Sequence, residues 1–546
     1  MPFLFCLAWI VPGLIGHDPW KPDEGYSFGL VYELLKGGSW VVPTLAGEPF
    51  MEKPPLMYLT AAATASLFSP LLPLHDGARL ASGLCMGLAC LFVGLAGREL
   101  WGRGEGRIAL ALFLGSVGLL VSGHLLITDT ALLAGVAAGL YGASLSLRRE
   151  WLGGMWLGTG VGIGFMSKGL LACAILGGLA LTLPLLDARW RGRPYLHFLS
   201  AAGSFSLPWL CIWPWALYRE SQNLFGEWLW ANNVGRFLGT NNLGPPAEPL
   251  HYLWVLPWFA LPSLPLAIYG ALACGRSGRL NTALTLPLAA ALFMLAVLSA
   301  SATARALYAL PLLVPLALAG VPGARALSIR VSAALFGSQV FIFTIIIGTL
   351  WLSWLALELG APAGLHDRLL AMSPNYVPRV DTGPLVIAVL STVAWLWVVV
   401  ELWRRRANPA YVWLLGITAG WGIAAMLLLG WADSSKTYRF VAHSIQRNLP
   451  PACTCIASFG LGEPQRALLH YFANIKTRRL EVDKTAGQCD VLLLQQRGKN
   501  IELPAGEWSF LWQGRRAGDR KEVFFLYQKK PTAVRMTTMH VPSVAP

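Results

Sequence analysis

A polar stretch from His17 to Lys53 interrupts an otherwise hydrophobic chain and carries two groups of ionisable residues. The first is the adjacent carboxylate pair Asp23 and Glu24, and the second is the acid–base pair Glu52 and Lys53. A positioned carboxylate can take a proton from an attacking hydroxyl. An ammonium group can hold a phosphate as a point charge. Asp23 follows Pro22 at an expected helix start, where the backbone dipole alone would favour an acid. Lys53 alone could do no more than reach toward lipid headgroups. Further along come Asp129 in LLITDTALL, Lys168 in GFMSKGLL, Arg236 in NNVGRF, and Arg305 with Tyr308 in SATARALYALP. Singly, each reads as structural. Together they supply carboxylates and several cations, a set suited to an anionic, lipid-linked substrate.

Apolar helices must position these residues. The chain is 55% hydrophobic and 13% charged, with a mean hydropathy of +0.54, outside the range of soluble domains. Apolar runs of about 17–25 residues, the length that crosses a bilayer, recur along it. Its 57 Gly, 36 Pro and 24 Trp fit membrane helices with interfacial anchors. The expected spans are 2–16, 78–98, 107–123, 125–147, 152–167, 169–187, 197–218, 251–274, 283–301, 304–320, 332–357, 382–402 and 410–431. The first run is short and has no basic residue ahead of it. It reads as a membrane helix with a clipped cytoplasmic end rather than a signal peptide.

Arginines orient these thirteen spans. Arg98, Arg103 and Arg107, then Arg148 and Arg149, then Arg189, Arg191 and Arg193 fall in loops on one side. Arg276 and Arg279, Arg325 and Arg330, and Arg404, Arg405 and Arg406 fall on the same side. Positive loops mark the cytoplasm. The polar stretch, within an outer loop at 17–77, and everything after Trp431 are therefore expected to face the periplasm.

The division expected is a transmembrane domain over 1–431 and a soluble α/β domain over 432–546. Strand-length apolar runs at 454–460, 490–496 and 522–528 flank a helical pattern at 463–475 in the second. This domain is basic, which suits anionic lipid headgroups; nucleic acid is not an expected partner on that side of a membrane. Cys489 could pair with Cys453 or Cys455 there, and a lone CxC lacks the ligands for zinc. His17, His75, His124 and His251 cluster near the outer face without ligand spacing, leaving a divalent metal ion open as a cofactor.

The stretch DPWKPDEGYSFGLVYELLKGGSWVVPTLAGEPFMEKPPLMYLTAA resembles the first outer loop of bacterial polyprenyl-phosphate-dependent glycosyltransferases. That group includes the lipid A aminoarabinose transferases and the protein-mannosyltransferase-like enzymes. Its pattern is W-x-x-DE-x-x-Y, then GDW-x-VP, then EKPP-x-x-Y. Trp20, Asp23, Glu24, Tyr26, Gly38, Trp40, Pro43, Glu52, Lys53, Pro54, Pro55 and Tyr58 supply most of it. Tyr26 stands one place early, and Ser39 replaces the usual Asp. The likeness continues through ITDTALL, GFMSKG, PWALYRE, NNVGRF and YALPLLVPLAL, covering roughly residues 1–320. His251 falls inside a segment that a histidine precedes in the aminoarabinose transferases.

The resemblance implies a polytopic α-helical membrane protein of the GT-C class, with about 13 membrane helices and a C-terminal α/β periplasmic domain. It implies transfer of a sugar from an undecaprenyl-phosphate donor to a lipid (lipid A-like), glycan or protein acceptor at the outer face of the inner membrane. Asp23 would be the catalytic base and Asp129 a second catalytic acid that orients the sugar or a cation. Lys53 would contact the carrier phosphate, with Arg236, Arg305 and Tyr308 steadying it as it leaves. Glu24, Glu52 and Lys168 complete the expected substrate-binding set. The rival reading is a transporter or flippase of lipid-linked sugars. That reading predicts paired half-repeats with broken helices near the midplane, whereas these charges gather at one face.

Overall fold

The computed structural model describes residues 2–241, 243–276, 282–496, 508–519 and 521–530. Arg279, and the part of the C-terminal region beyond residue 530, lie outside the described residues. Each expected span contains helix. Among the described residues, six helices are long and apolar enough to cross a membrane: Leu74–Trp101, Arg193–Glu220, Ala306–Arg325, Ile329–Leu359, Thr382–Arg404 and Pro409–Leu427. His251–Phe259 and Ser263–Gly275 form a further pair, bent by 97°. Of the remaining expected spans, 125–147 and 152–167 are the unbroken but less apolar helices Thr128–Leu145 and Glu150–Lys168, and the others are shorter or broken. The 107–123 span divides into Gly106–Leu114 and Leu119–Ser122, and the first reduces to Pro2–Ile10.

The arginine-bearing loops meet at one end of this bundle. Arg148 pairs with Glu99 at 2.9 Å and Arg325 with Glu105 at 3.6 Å. Asn408 donates to the Ala324 carbonyl at 2.6 Å. The Leu74–Trp101 helix has 28 residues, about 42 Å at the α-helical rise. It carries Arg98 toward that end and Arg79 toward the opposite one, where the polar stretch lies.

Two helices and a small hairpin build the polar stretch. Asp23–Leu35 begins directly after Pro22, and Leu56–Phe68 directly after Pro54-Pro55, positions where a fixed φ and a missing N–H are tolerated. Between them, strands β1 (Thr44–Leu45) and β2 (Glu48–Pro49) pair antiparallel. Ala46 and Gly47, both at positive φ, make the two-residue turn, the handedness that a tight hairpin requires.

The C-terminal region forms a mixed sheet of β3 (Ile456–Phe459), β4 (Arg478–Arg479), β5 (Val491–Gln496), β6 (Trp508–Arg515) and β7 (Val523–Lys529), in the order β4-β3-β5-β7-β6. β3 is parallel to β4 and β5; β7 is antiparallel to β5 and β6. The Arg439–Arg447 and Glu463–Ala473 helices bury Val441, Ile445, Leu468 and Leu469 with Val491, Leu493 and Leu526 of the sheet. A disulfide joins Cys455 to Cys489, and Cys453 is free.

This sheet domain sits on the polar stretch. The Glu463–Ala473 helix lies against Asp23–Leu35 so closely that a Cβ on Gly29 would come within 2.5 Å of the Ala467 Cβ. Gly25 would meet Pro464 at 3.1 Å. Ion pairs surround this seam: Asp18–Arg439 at 2.5 Å, Lys21–Asp519 at 3.0 Å and Glu33–Lys476 at 3.1 Å. Overpacking such a contact costs roughly 1–3 kcal/mol. Gly29→Ala is accordingly expected to lower the thermal unfolding midpoint of the purified protein. Combined with Ala467→Gly, the loss should be smaller than the sum of the two single losses, as a double-mutant cycle would read.

Candidate active site

At the end of the bundle away from the arginine loops, eight of the nine expected site residues form one connected polar network. Asp23 is held bidentate by Arg305, with Nη1 to Oδ1 at 2.9 Å and Nη2 to Oδ2 at 2.5 Å. The Tyr26 hydroxyl donates to Asp23 Oδ1 at 3.1 Å and accepts from Lys53. Lys53 lies 3.7 Å from Glu52, which pairs with Arg236 at 2.5 Å. Lys168 pairs with Asp129 at 2.9 Å. Tyr308 sits at the centre. Lys168 is 4.6 Å and Arg305 5.9 Å from its ring centre, and Arg236 reaches its hydroxyl at 3.4 Å.

Local structure explains these placements. Lys168 is the last residue of the Glu150–Lys168 helix, and Gly169 follows at φ +66 and ψ −140, a backbone conformation open to glycine for want of a Cβ. A side chain on Gly169 would collide with Asn233, whose Oδ1 instead accepts the Leu170 N–H at 3.1 Å. Arg236 leaves a π-helical segment, Glu227–Gly235, an irregularity often found at functional sites. Arg305 and Tyr308 flank the start of a 3₁₀ turn over Ala306–Leu312.

Two cavities adjoin this network. The first, about 330 Å³, has Glu52, Lys53, Lys168, Arg236 and Tyr308 at one side. Leu170, Leu171, Phe237, Leu238, Val297 and Leu298 form an apolar wall at the other. The second, about 390 Å³, lies between the hairpin, the π-helical segment and the sheet domain, and shares Glu52, Asn232 and Arg236 with the first. Asp23, Asp129 and Arg305 line neither. Asp129 contacts the first cavity's lining through Lys168, and Arg305 through the ring of Tyr308.

Electrostatics follow from the pairing. Burial alone would raise the Asp23 carboxyl, but the hydrogen bonds from Arg305, with the charges of Lys53 and Lys168, hold it below the usual carboxylate range. Burial likewise opposes ionisation of Glu52, and Lys53 and Arg236 overcome it. Four cations (Lys53, Lys168, Arg236, Arg305) face three carboxylates (Asp23, Glu52, Asp129), so 4 − 3 leaves one positive charge. The arrangement can hold an anion and keeps an ionised base beside it.

Glu24, expected in the substrate-binding set, turns the other way. It is 1% exposed and takes Arg79 at 2.6 Å, the Trp20 N–H at 2.9 Å and the Leu126 N–H at 3.2 Å. Its oxygens are filled by the protein. Reasoning from sequence missed Arg79 altogether and took Tyr26 only as part of the motif; a lone arginine opening an apolar helix was the available signal for the first. The histidines do not converge either. His17 and His124 bond backbone carbonyls and His75 bonds Tyr471. Among the described residues no group of three or more His, Cys, Asp or Glu could hold a metal ion.

A family model described as dolichyl-phosphate-mannose-protein mannosyltransferase matches residues 52–218. The chain is 30% identical over 440 residues to an undecaprenyl phosphate-alpha-4-amino-4-deoxy-L-arabinose arabinosyl transferase of Pseudomonas aeruginosa, covering 78% of this chain and 74% of that protein. It is also 30% identical over 333 residues to the enzyme of that name from Pseudomonas savastanoi pv. phaseolicola, covering 58% of each. The fold is that of the crystal structure of ArnT from Cupriavidus metallidurans bound to undecaprenyl phosphate, with a TM-score of 0.71 over 96% of both chains at 16% identity. Fold and sequence together define a multi-pass bacterial membrane glycosyltransferase of the GT-C class. The chain belongs to the aminoarabinose transferase family of polyprenyl-phosphate-dependent enzymes.

Arg79 generates a stability prediction. Removing one partner of a buried ion pair costs roughly 3–5 kcal/mol. Arg79→Met, which strands Glu24 and Asp76, is expected to abolish most folded protein, measured as monodisperse yield after detergent extraction. Arg148→Met, at an exposed pair on the other end, should leave that yield unchanged.

Proposed function

We propose that this enzyme transfers a sugar from undecaprenyl phosphate to a hydroxyl of a lipid A-like acceptor, at the periplasmic face of the inner membrane. The observation that carries the reading is the single surplus positive charge around Tyr308, set against an apolar-walled cavity. A sugar-carrying phosphodiester on a prenyl chain has one negative charge and a long apolar tail, the complement of both features. The arginine-bearing loops at the opposite end support the periplasmic placement, since positive loops mark the cytoplasm. The transmembrane part would run over 1–431 and the periplasmic domain over 432–546.

In this reading Lys53, Arg236 and Lys168 bind the phosphate from the first cavity. Arg305 exchanges its carboxylate partner for the phosphate as the donor enters, which frees Asp23. The acceptor oxygen attacks the anomeric carbon and its proton passes to Asp23. The bond from that carbon to the phosphate oxygen breaks, and undecaprenyl phosphate departs with the electron pair and an added negative charge. Fixed cations aimed at that charge stabilise the transition state without reorganisation. Asp129 holds Lys168 in place, Tyr308 spaces the cations, and Glu52 separates Lys53 from Arg236. Tyr26 links the base to the phosphate-binding lysine.

Positioned general bases contribute about 10²–10⁴-fold. Asp23→Asn is expected to lower turnover by that amount in a reconstituted assay. Mass spectrometry of cells carrying it should show the donor lipid accumulating while one modified envelope product disappears. Unchanged envelope lipids and donor pools, with the protein present, would refute the reading.

The pH dependence has a definite sign. Because Arg305 helps hold Asp23 below the ordinary carboxylate range, the base stays ionised where a free carboxylate would protonate. kcat/KM reports the free enzyme, so its acid limb should fall below that range. Arg305→Gln removes the strongest opposition to burial and should move the limb to higher pH. An unmoved limb would disconnect Asp23 from the titration.

A further inference from the structure

We infer that the arginine-bearing end of the bundle holds a binding site for a two-phosphate phospholipid of the cardiolipin class. The site lies where the Ile329–Leu359 and Thr382–Arg404 helices meet, at the opposite end of the molecule from the network around Tyr308. It is independent of the glycosyl-transfer reading. The two helices run antiparallel and touch at successive levels. Phe336 meets Trp403 at 5.2 Å and Phe343 meets Trp395 at 6.0 Å between ring centres, and Trp351 Nε1 donates to the Thr392 hydroxyl at 3.0 Å. Neither helix buries much of its apolar surface against the protein. At the arginine end Ile329, Val331, Val400 and Trp403 stay exposed. The pair therefore offers an apolar cleft to lipid tails.

Three chain connections close over this end, at 102–107, 325–330 and 401–408. Arg325 pairs with Glu105 at 3.6 Å and Asn408 donates to the Ala324 carbonyl at 2.6 Å, which stitches all three together. They carry seven arginines and two acids, and seven less two leaves five positive charges. Both acids are taken, Glu105 by Arg325 and Glu401 by Arg405 at 2.6 Å. Arg330, Arg404 and Arg406 are exposed and have no carboxylate at ion-pair distance among the described residues. Arg330 stands in the first turn of one helix and Arg404 ends the other, so unpaired cations flank the Phe336–Trp403 contact. A single such arginine is ordinary cytoplasmic-loop charge. Here cations from two helix ends converge on one apolar cleft, the arrangement in which basic pockets between membrane helices take anionic heads. Guanidinium binds phosphate through a fork of two N–H donors. One phosphate answers one side of the cleft. Two phosphates joined through a glycerol answer Arg330 on one side and Arg404 with Arg406 on the other, while four acyl chains cover the exposed apolar face.

The test uses the full-length protein in a neutral detergent, with tetraoleoyl cardiolipin, dioleoylphosphatidylglycerol and dioleoylphosphatidylcholine as separate probes. Native mass spectrometry reads the lipid retained, and the thermal unfolding midpoint reads its effect on stability. Wild type should retain cardiolipin ahead of phosphatidylglycerol at equal phosphate, and phosphatidylcholine least. Losing one arginine beside an anionic head should weaken binding about fivefold. Arg330→Gln and Arg404→Gln should each show that loss for cardiolipin, and the double variant a loss of about twenty-fold. Both positions are exposed, so each variant should elute, and unfold without added lipid, as wild type does. Arg149→Gln, on another loop at the same end, should retain cardiolipin as wild type does. An equal loss in Arg149→Gln would overturn the site, because a diffuse positive face would then account for the binding. Cardiolipin retention unchanged in the double variant would overturn it too, as would a wild type with no preference for cardiolipin over phosphatidylglycerol.

Discussion

The arrangement depends on one buried guanidinium. Arg79 is wholly enclosed and spends its donors on Glu24, Asp76 and the carbonyls of Leu14 and His17. It thereby ties the end of the first apolar segment, the start of the Asp23–Leu35 helix and the Leu74–Trp101 helix to one point. A charge there is tolerable only because two carboxylates and two carbonyls surround it. The geometry of Asp23 is set by its neighbour in sequence: Glu24 is locked inward by Arg79, so Asp23 faces Tyr26 and Arg305. Adjacent acids on one helix turn have divided into an anchor and a site residue.

That division explains which parts of the molecule sequence reasoning could reach. The membrane helices were legible because length and hydropathy are local properties, and helix lies at every expected span. Their interruptions were not read, although each falls at a helix-breaking residue: the break after Leu114 at Gly115, and the 97° bend after Phe259 at Pro262. In the sheet domain, β3, β5, β7 and the Glu463–Ala473 helix were anticipated from their apolar runs. β6, with its WSFLWQGR mixture, and the two-residue β4 carry too little periodicity to stand out.

Among site residues, the expected groups around Tyr308 are in contact although they come from positions 23 to 308. Ionisable residues are so expensive near a bilayer that few are present without a partner, which made them easy to pick out. What sequence could not supply was the pairing. Nothing in DE says that the first acid serves the site and the second the scaffold. Nor does a basic C-terminal region announce that Arg466 and Arg479 close over a cavity lined by residues near position 50.

The seam at Gly25 and Gly29 has a consequence for how the molecule comes into being. The helix that bears Asp23 is synthesised well before the surface it packs on, from Pro464 to Leu468. During synthesis the glycine face waits uncovered while more than four hundred residues are made and inserted. A product interrupted just before residue 464 would contain every expected site residue and still lack the wall that seats their loop. The two ends also constrain each other's history. A larger residue acquired at either glycine calls for a smaller one in the distant helix, so the opening loop and the closing domain should be exchanged between relatives only as a pair.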